Sequence, residues 1–83
     1  MNPEHMDLLV SDSWRALLRD FILPWALGTT DLGDDVLEIG PGPGTTTDLL
    51  RATVPRLTVV ELDDLLAADL ADRLAGTNVE VVN

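Results

Sequence analysis

Lysine, cysteine and tyrosine are all absent from this chain, and phenylalanine and histidine occur once each. Without cysteine there is no disulfide staple, no thiolate nucleophile and no cysteine-ligated metal. The lone His5 has no partner cluster, so it reads as a surface residue rather than as a base or a ligand. Five arginines stand against 15 acidic residues, for a net charge of −10. No basic run is available to meet a phosphate backbone or an anionic bilayer, so the charge argues against nucleic acid and membranes as partners. No uncharged stretch approaches the roughly 18 residues that a membrane span needs, and the start Met1-Asn2-Pro3-Glu4-His5 has no basic leader character. The expectation is a soluble protein of the cytoplasm. Asp31, Asp34 and Asp35 lack the ordered spacing of a calcium loop, so no metal site is expected.

What is present is an apolar fraction of 46% in 83 residues. That is too much, and too regularly placed, for an acidic disordered tail, and the length allows one small domain but excludes a two-domain enzyme. A chain of this size buries only about 60% of the surface its unfolded form exposes, so its stability is expected to be marginal.

The large apolar residues Trp14, Leu17, Leu18, Phe21, Ile22 and Trp25 fall on one stripe of a helix, capped by Ser11 or Ser13 and stopped at Gly28. The stripe is expected to pack into a core, with a lid as the alternative. Pro24 is expected to kink or end this helix. A shorter helix is expected over Glu4 to Val10, so residues 1–28 form an N-terminal helical segment. From residue 35 to 83 the pattern alternates. Val36 to Ile39 reads as a strand, Gly40 to Gly44 as a glycine–proline loop, and Thr45 to Ala52 as a helix. Leu57 to Leu62 reads as a second strand. Asp63 or Asp64 then caps a helix carrying Leu66, Leu70 and Leu74 on one face, ended by Gly76, with Asp69 and Asp72 as solvated charge on its outer face. Val79 to Val82 reads as a third strand. The expected class is α/β: a Rossmann-like β-α-β-α-β half-fold with a parallel three-stranded sheet, preceded by N-terminal helices.

Gly40, Gly42 and Gly44 alternate where strand gives way to helix, with Pro41 and Pro43 stiffening the loop between them. A loop without Cβ atoms lets a ligand lie against the main chain. Glu61 follows Gly40 by 21 residues, at the carboxyl end of the second strand. There an α/β nucleotide site places the acid that accepts hydrogen bonds from ribose hydroxyls. Thr45 stands where the dinucleotide fingerprint has its third glycine, which argues against NAD.

Glu38, Gly40, Gly42 and Gly44 match E/D-x-G-x-G-x-G, motif I of the class I S-adenosylmethionine-dependent methyltransferases, and Val59-Val60-Glu61-Leu62-Asp63 resembles that family's acidic second-strand motif. The resemblance runs from about Asp35 to Asn83. It implies S-adenosylmethionine as cofactor, held by Glu38, Gly40, Pro41, Gly42, Gly44, Glu61 and Leu62. By this resemblance the loop lies against the methionine part, Glu38 serves its amino group, Glu61 holds the ribose hydroxyls, and Leu62 packs near the adenine. A sulfonium and an ammonium without phosphate suit acidic residues. The wording Leu-Glu-Ile-Gly-Pro-Gly-Pro-Gly is also similar to ribosomal RNA adenine dimethyltransferases. The charge of −10 sets that subfamily aside and leaves a small-molecule or lipid-like acceptor as the expectation.

The methyltransferase fold has about seven strands and completes its site from both halves of the sheet. Three strands are expected here, so the chain reads as the cofactor-binding N-terminal half, truncated relative to the family and inactive alone, with no catalytic residue identifiable. The alternative is a catalytically silent α/β interaction or oligomerisation module. The first strand is expected to leave an unpaired edge, which implies a homo-oligomer formed through it.

Overall fold

The structure is a computed structural model that describes residues 2–83. The chain divides into two compact units, with the division between Asp31 and Leu32.

The first unit is helical: α1 (Pro3–Leu9), α2 (Asp12–Leu17), a π-helical turn (Leu18–Ile22) and α3 (Leu23–Leu27). Each start has a local cause. The Asn2 side chain accepts from the His5 N–H, and Ser11, rather than Ser13, accepts from the Trp14 N–H to cap α2. Pro24 has no N–H with which to continue the ladder. The helix neither ends nor visibly breaks there. It widens ahead of the proline, so that the Leu23 N–H donates to the Leu18 carbonyl five residues back. Gly28, at φ +54, closes α3 by donating its N–H to the Pro24 carbonyl. The apolar stripe does not form the expected core: Leu18 is buried, but Phe21 is 68% exposed and Trp25 86% exposed. Periodicity fixes which residues share a helix face, and a segment this short offers them little to pack against.

The second unit is the α/β half-fold: β1 (Asp35–Ile39), α4 (Thr45–Leu50), β2 (Arg56–Val60), α5 (Asp64–Arg73) and β3 (Val79–Val82). The sheet is parallel throughout in the order β1-β2-β3, with Val36 beside Leu57 and Leu57 beside Val79. Parallel neighbours need crossovers, which α4 and α5 provide. Asp63, not Asp64, caps α5 by accepting from the N–H groups of Leu65 and Leu66. β2 is shorter than the expected Leu57 to Leu62, because the Glu61 carboxylate turns back to accept from the Asp63 N–H.

The core lies on one face of this sheet. Val54, Leu57 and Val59 are buried, and Val36, Leu50, Val79 and Val81 pack against them. Full burial of a side chain such as Leu57 or Val59 contributes about 1.5–3 kcal/mol. Ala67, Leu70 and Leu74 of the α5 region are buried as well. The Asn78 side-chain amide donates to the carbonyls of Arg51 and Val54, tying the approach to β3 to the approach to β2. On β1 the alternation leaves Leu37 and Ile39 on the opposite face, 60% and 77% exposed. Among the described residues, no helix is long and apolar enough to cross a membrane.

Candidate functional site

β1 ends at Ile39, and the Gly40 N–H still reaches the Val60 carbonyl at 2.8 Å, so the loop leaves the sheet directly beside the end of β2. The chain then turns back on itself: the Gly44 N–H donates to the Pro41 carbonyl at 3.1 Å, with Gly42 at φ +59 inside the turn. A side chain at that angle would be strained, so the turn demands glycine there. Pro41, Gly42 and Gly44 are buried, while Gly40 is exposed and has open space where a Cβ would project.

The structure brings the two acidic elements of the sequence motif onto this loop. Glu61 is buried, and its Oε1 accepts from the Gly42 N–H at 3.0 Å, across 19 residues. Its Oε2 accepts from the Asp63 N–H at 2.9 Å. Both oxygens therefore hold backbone N–H groups, and each carboxylate oxygen keeps a further lone pair for a hydroxyl donor. Glu61 needs no counter-ion among these contacts, because charge-assisted bonds from N–H groups satisfy it.

Glu38 is half-buried on β1, and its Oε1 accepts from the Thr47 hydroxyl at 2.6 Å. Burial holds its carboxyl above the usual carboxylate range. The Thr47 hydroxyl opposes that shift, and the charge of Asp48 adds to it. Leu62 stands beyond Glu61 and is 91% exposed. Spacing along the sequence did not point to Thr47, Asp48 or Arg73, which all meet the loop or its acids. Thr47 is fully buried at the start of α4. Arg73, at the end of α5, donates from Nη1 to Asp48 Oδ1 at 2.7 Å and from Nη2 to the Pro43 carbonyl at 3.2 Å. Two adjacent threonines precede Thr47, so only the fold distinguishes it from them. No group of three or more metal-ligating side chains is gathered among the described residues.

The glycine loop with two carboxylates beside it is the arrangement of a site for a cationic, hydroxyl-bearing ligand. Comparison with known proteins agrees with this chemistry and identifies its lineage. The family described as Ribosomal RNA adenine dimethylase matches residues 27–83. A probable ribosomal RNA small subunit methyltransferase A of Methanothermobacter thermautotrophicus is 49% identical over 66 residues, which cover 77% of this chain and 23% of that protein. The ribosomal RNA small subunit methyltransferase A of Streptococcus agalactiae serotype Ia is 46% identical over 54 residues, covering 64% of this chain and 19% of that protein. The Deinococcus radiodurans protein of the same name is 44% identical over 50 residues, 60% of this chain and 17% of that protein. The chain thus spans about a fifth of the length of the curated relatives it matches. No solved structure matches.

These relatives overturn the expectation of a small-molecule acceptor with nucleic acid excluded, since they are named for ribosomal RNA. The charge argument failed for a physical reason. Net charge describes the surface of whatever is counted, and 83 residues that match about a fifth of each relative do not set the field of the whole. With a match over residues 27–83, the chain belongs to the ribosomal RNA adenine dimethylase family.

Proposed function

We propose that this chain is the S-adenosylmethionine-binding portion of a ribosomal RNA adenine dimethylase. The observation that carries the proposal is the bond between Glu61 and the Gly42 N–H, which joins the acid at the end of β2 to the glycine loop at the end of β1. S-adenosylmethionine supplies a methyl group on a sulfonium, which passes to the acceptor by direct displacement.

The residues present fit that cofactor. Gly40 leaves open space over the main chain, where the methionine part lies. Glu38 serves its ammonium, and the free lone pairs of Glu61 accept from the two ribose hydroxyls. Leu62, exposed beside Glu61, offers an apolar surface to the adenine. Prepaying the order of the loop with internal hydrogen bonds lowers the entropy lost on binding.

The acceptor proposed is an adenine of ribosomal RNA. Arg19, Arg56 and Arg73 are each ion-paired to an aspartate, so the phosphate-neutralising charge such an acceptor requires is assigned to regions of the relatives that the match does not cover. Calorimetric titration of the 83-residue chain with S-adenosylhomocysteine tests the reading. Saturable binding that Glu61→Ala weakens by about 10- to 100-fold supports it. A folded chain that binds neither S-adenosylhomocysteine nor S-adenosylmethionine overturns it.

A further inference from the structure

The glycine loop is gripped from two sides. Glu61 holds Gly42 from the end of β2. On another side stands Arg73, 30 residues from the Pro43 carbonyl that it bonds and 25 from Asp48. Gly44 connects them. A Cβ built on Gly44 would lie 2.5 Å from Arg73 Nη2 and 2.6 Å from Leu70 Cδ2, and the residue sits at φ +92. Leu70 is fully buried and has no room to withdraw. Glycine at position 44 therefore serves close packing against α5 as well as the turn. The space that a side chain would fill is taken by the Arg73 guanidinium.

We infer that Arg73 is a positioning residue for the cofactor loop. Its guanidinium binds the loop and the first turns of α4 to α5 and so fixes the cradle in which Glu61 and Gly42 meet. The planar fork suits the task, because two nitrogens address two acceptors at once, one a carboxylate and one a main-chain carbonyl. Asp48 neutralises the guanidinium at 2.7 Å, so the clamp does not place an unbalanced positive charge behind a site that receives a cation. Loosening the clamp frees Pro43 and Gly44 while the sheet stays formed, since the cluster of Val54, Leu57 and Val59 packs with strand and helix residues that do not include Arg73.

The effect on cofactor affinity rests on the function proposed above, whereas the effect on the loop does not. The experiment therefore reads both in the full 83-residue chain. Amide hydrogen exchange is followed at Gly42, Gly44 and, as a reference, at Leu57 and Val59 of β2, alongside titration with S-adenosylhomocysteine. Arg73→Met is expected to speed exchange at Gly42 and Gly44 about tenfold, leave Leu57 and Val59 unchanged, and weaken S-adenosylhomocysteine about tenfold. Arg73→Lys keeps the charge and one contact and is expected to fall between. Unaltered loop exchange in Arg73→Met overturns the clamp, and so does acceleration equal at all four amides in both variants. A wild-type chain that binds no S-adenosylhomocysteine while Arg73→Met loosens only the loop removes the cofactor reading and leaves the clamp standing. A wild-type chain that binds, with an Arg73→Met variant that matches it in both readouts, removes the clamp and leaves the cofactor reading.

Discussion

The two units of this chain obey the same amphipathic grammar and use it to different ends. In the helical unit the named hydrogen bonds of side chains are local: Asn2 with His5, Ser11 with Trp14, Arg19 with Asp20, one to three residues apart. In the α/β unit they reach across the chain: Glu61 to Gly42 over 19 residues, Asn78 to Val54 over 24, Arg73 to Pro43 over 30. Burial follows the same division. Phe21 and Trp25 remain largely exposed, whereas Leu57, Val59 and Leu70 are shut away almost completely. Apolar periodicity thus says which residues are available for a core. Only a sheet with crossovers, which brings distant segments together, converts that availability into burial here.

The sharpest way to break this comparison is to cut one apolar side chain from each unit. Leu57→Ala should cost about 3 kcal/mol, enough to unfold much of a marginal domain. Phe21→Ala should cost less than about 1 kcal/mol. Urea denaturation followed by circular dichroism measures both, and equal losses would show that the helical unit has a core of comparable worth.

The second prediction concerns the long-range ties themselves. Both oxygens of Glu61 accept from backbone N–H groups, so an amide at this position must turn its NH2 toward a donor. Glu61→Gln is therefore expected to be no milder than Glu61→Ala, each weakening S-adenosylhomocysteine by about 10- to 100-fold. A Gln variant with near wild-type affinity would show that one of the two N–H contacts is dispensable.

A smaller effect should appear on acidification. The pKa of Glu38 is raised by burial, so a cationic ligand loses its charged partner at a higher pH than an ordinary carboxylate would allow. Affinity measured by titration at stepped pH should fall as pH drops through that raised value. Thr47→Val should move the midpoint further up, because the hydroxyl bond that favours the ionised form is gone. Glu38→Gln should lower affinity and remove this step. Stability responds in the opposite sense: the cost of burying the ionised carboxyl is present above the raised pKa and is relieved as pH falls to the unfolded value.

Least of all should be the helix caps, which are local in both units. Ser11→Ala and Asp63→Ala are each expected to cost about 1 kcal/mol, read as loss of helical ellipticity for the first and a lower urea midpoint for the second.

Much of the α/β unit could be read directly from the residues. The alternation of Val36 to Ile39 and Leu57 to Val60 marks strands because side chains in a strand repeat every two residues, and the spacing of Gly40 and Glu61 marks a strand-end pair. Thr47 and Arg73 could not be read in this way, because nothing local distinguishes a threonine that reaches Glu38 from its neighbours, or a helix-end arginine that reaches Pro43. The π-helical turn before Pro24 also escaped, since proline dictates that the ladder fails but not how the chain absorbs the failure. The acceptor was misread because the field of a short stretch was taken for the field of a whole protein.

The reach of Arg73 also fixes an order of events. Gly40 to Gly44 are made early, yet the groups that hold them belong to residues 61 and 73, so no local folding of the loop can hold it in its final form. The strands must first align and α5 must wind before the guanidinium can meet the Pro43 carbonyl, and closing a circuit of 30 residues is slower than winding any single helix. The part of this molecule best suited to receive a ligand is thus among the last to become rigid. A ligand present during folding would act on that final step rather than on the assembly of the sheet.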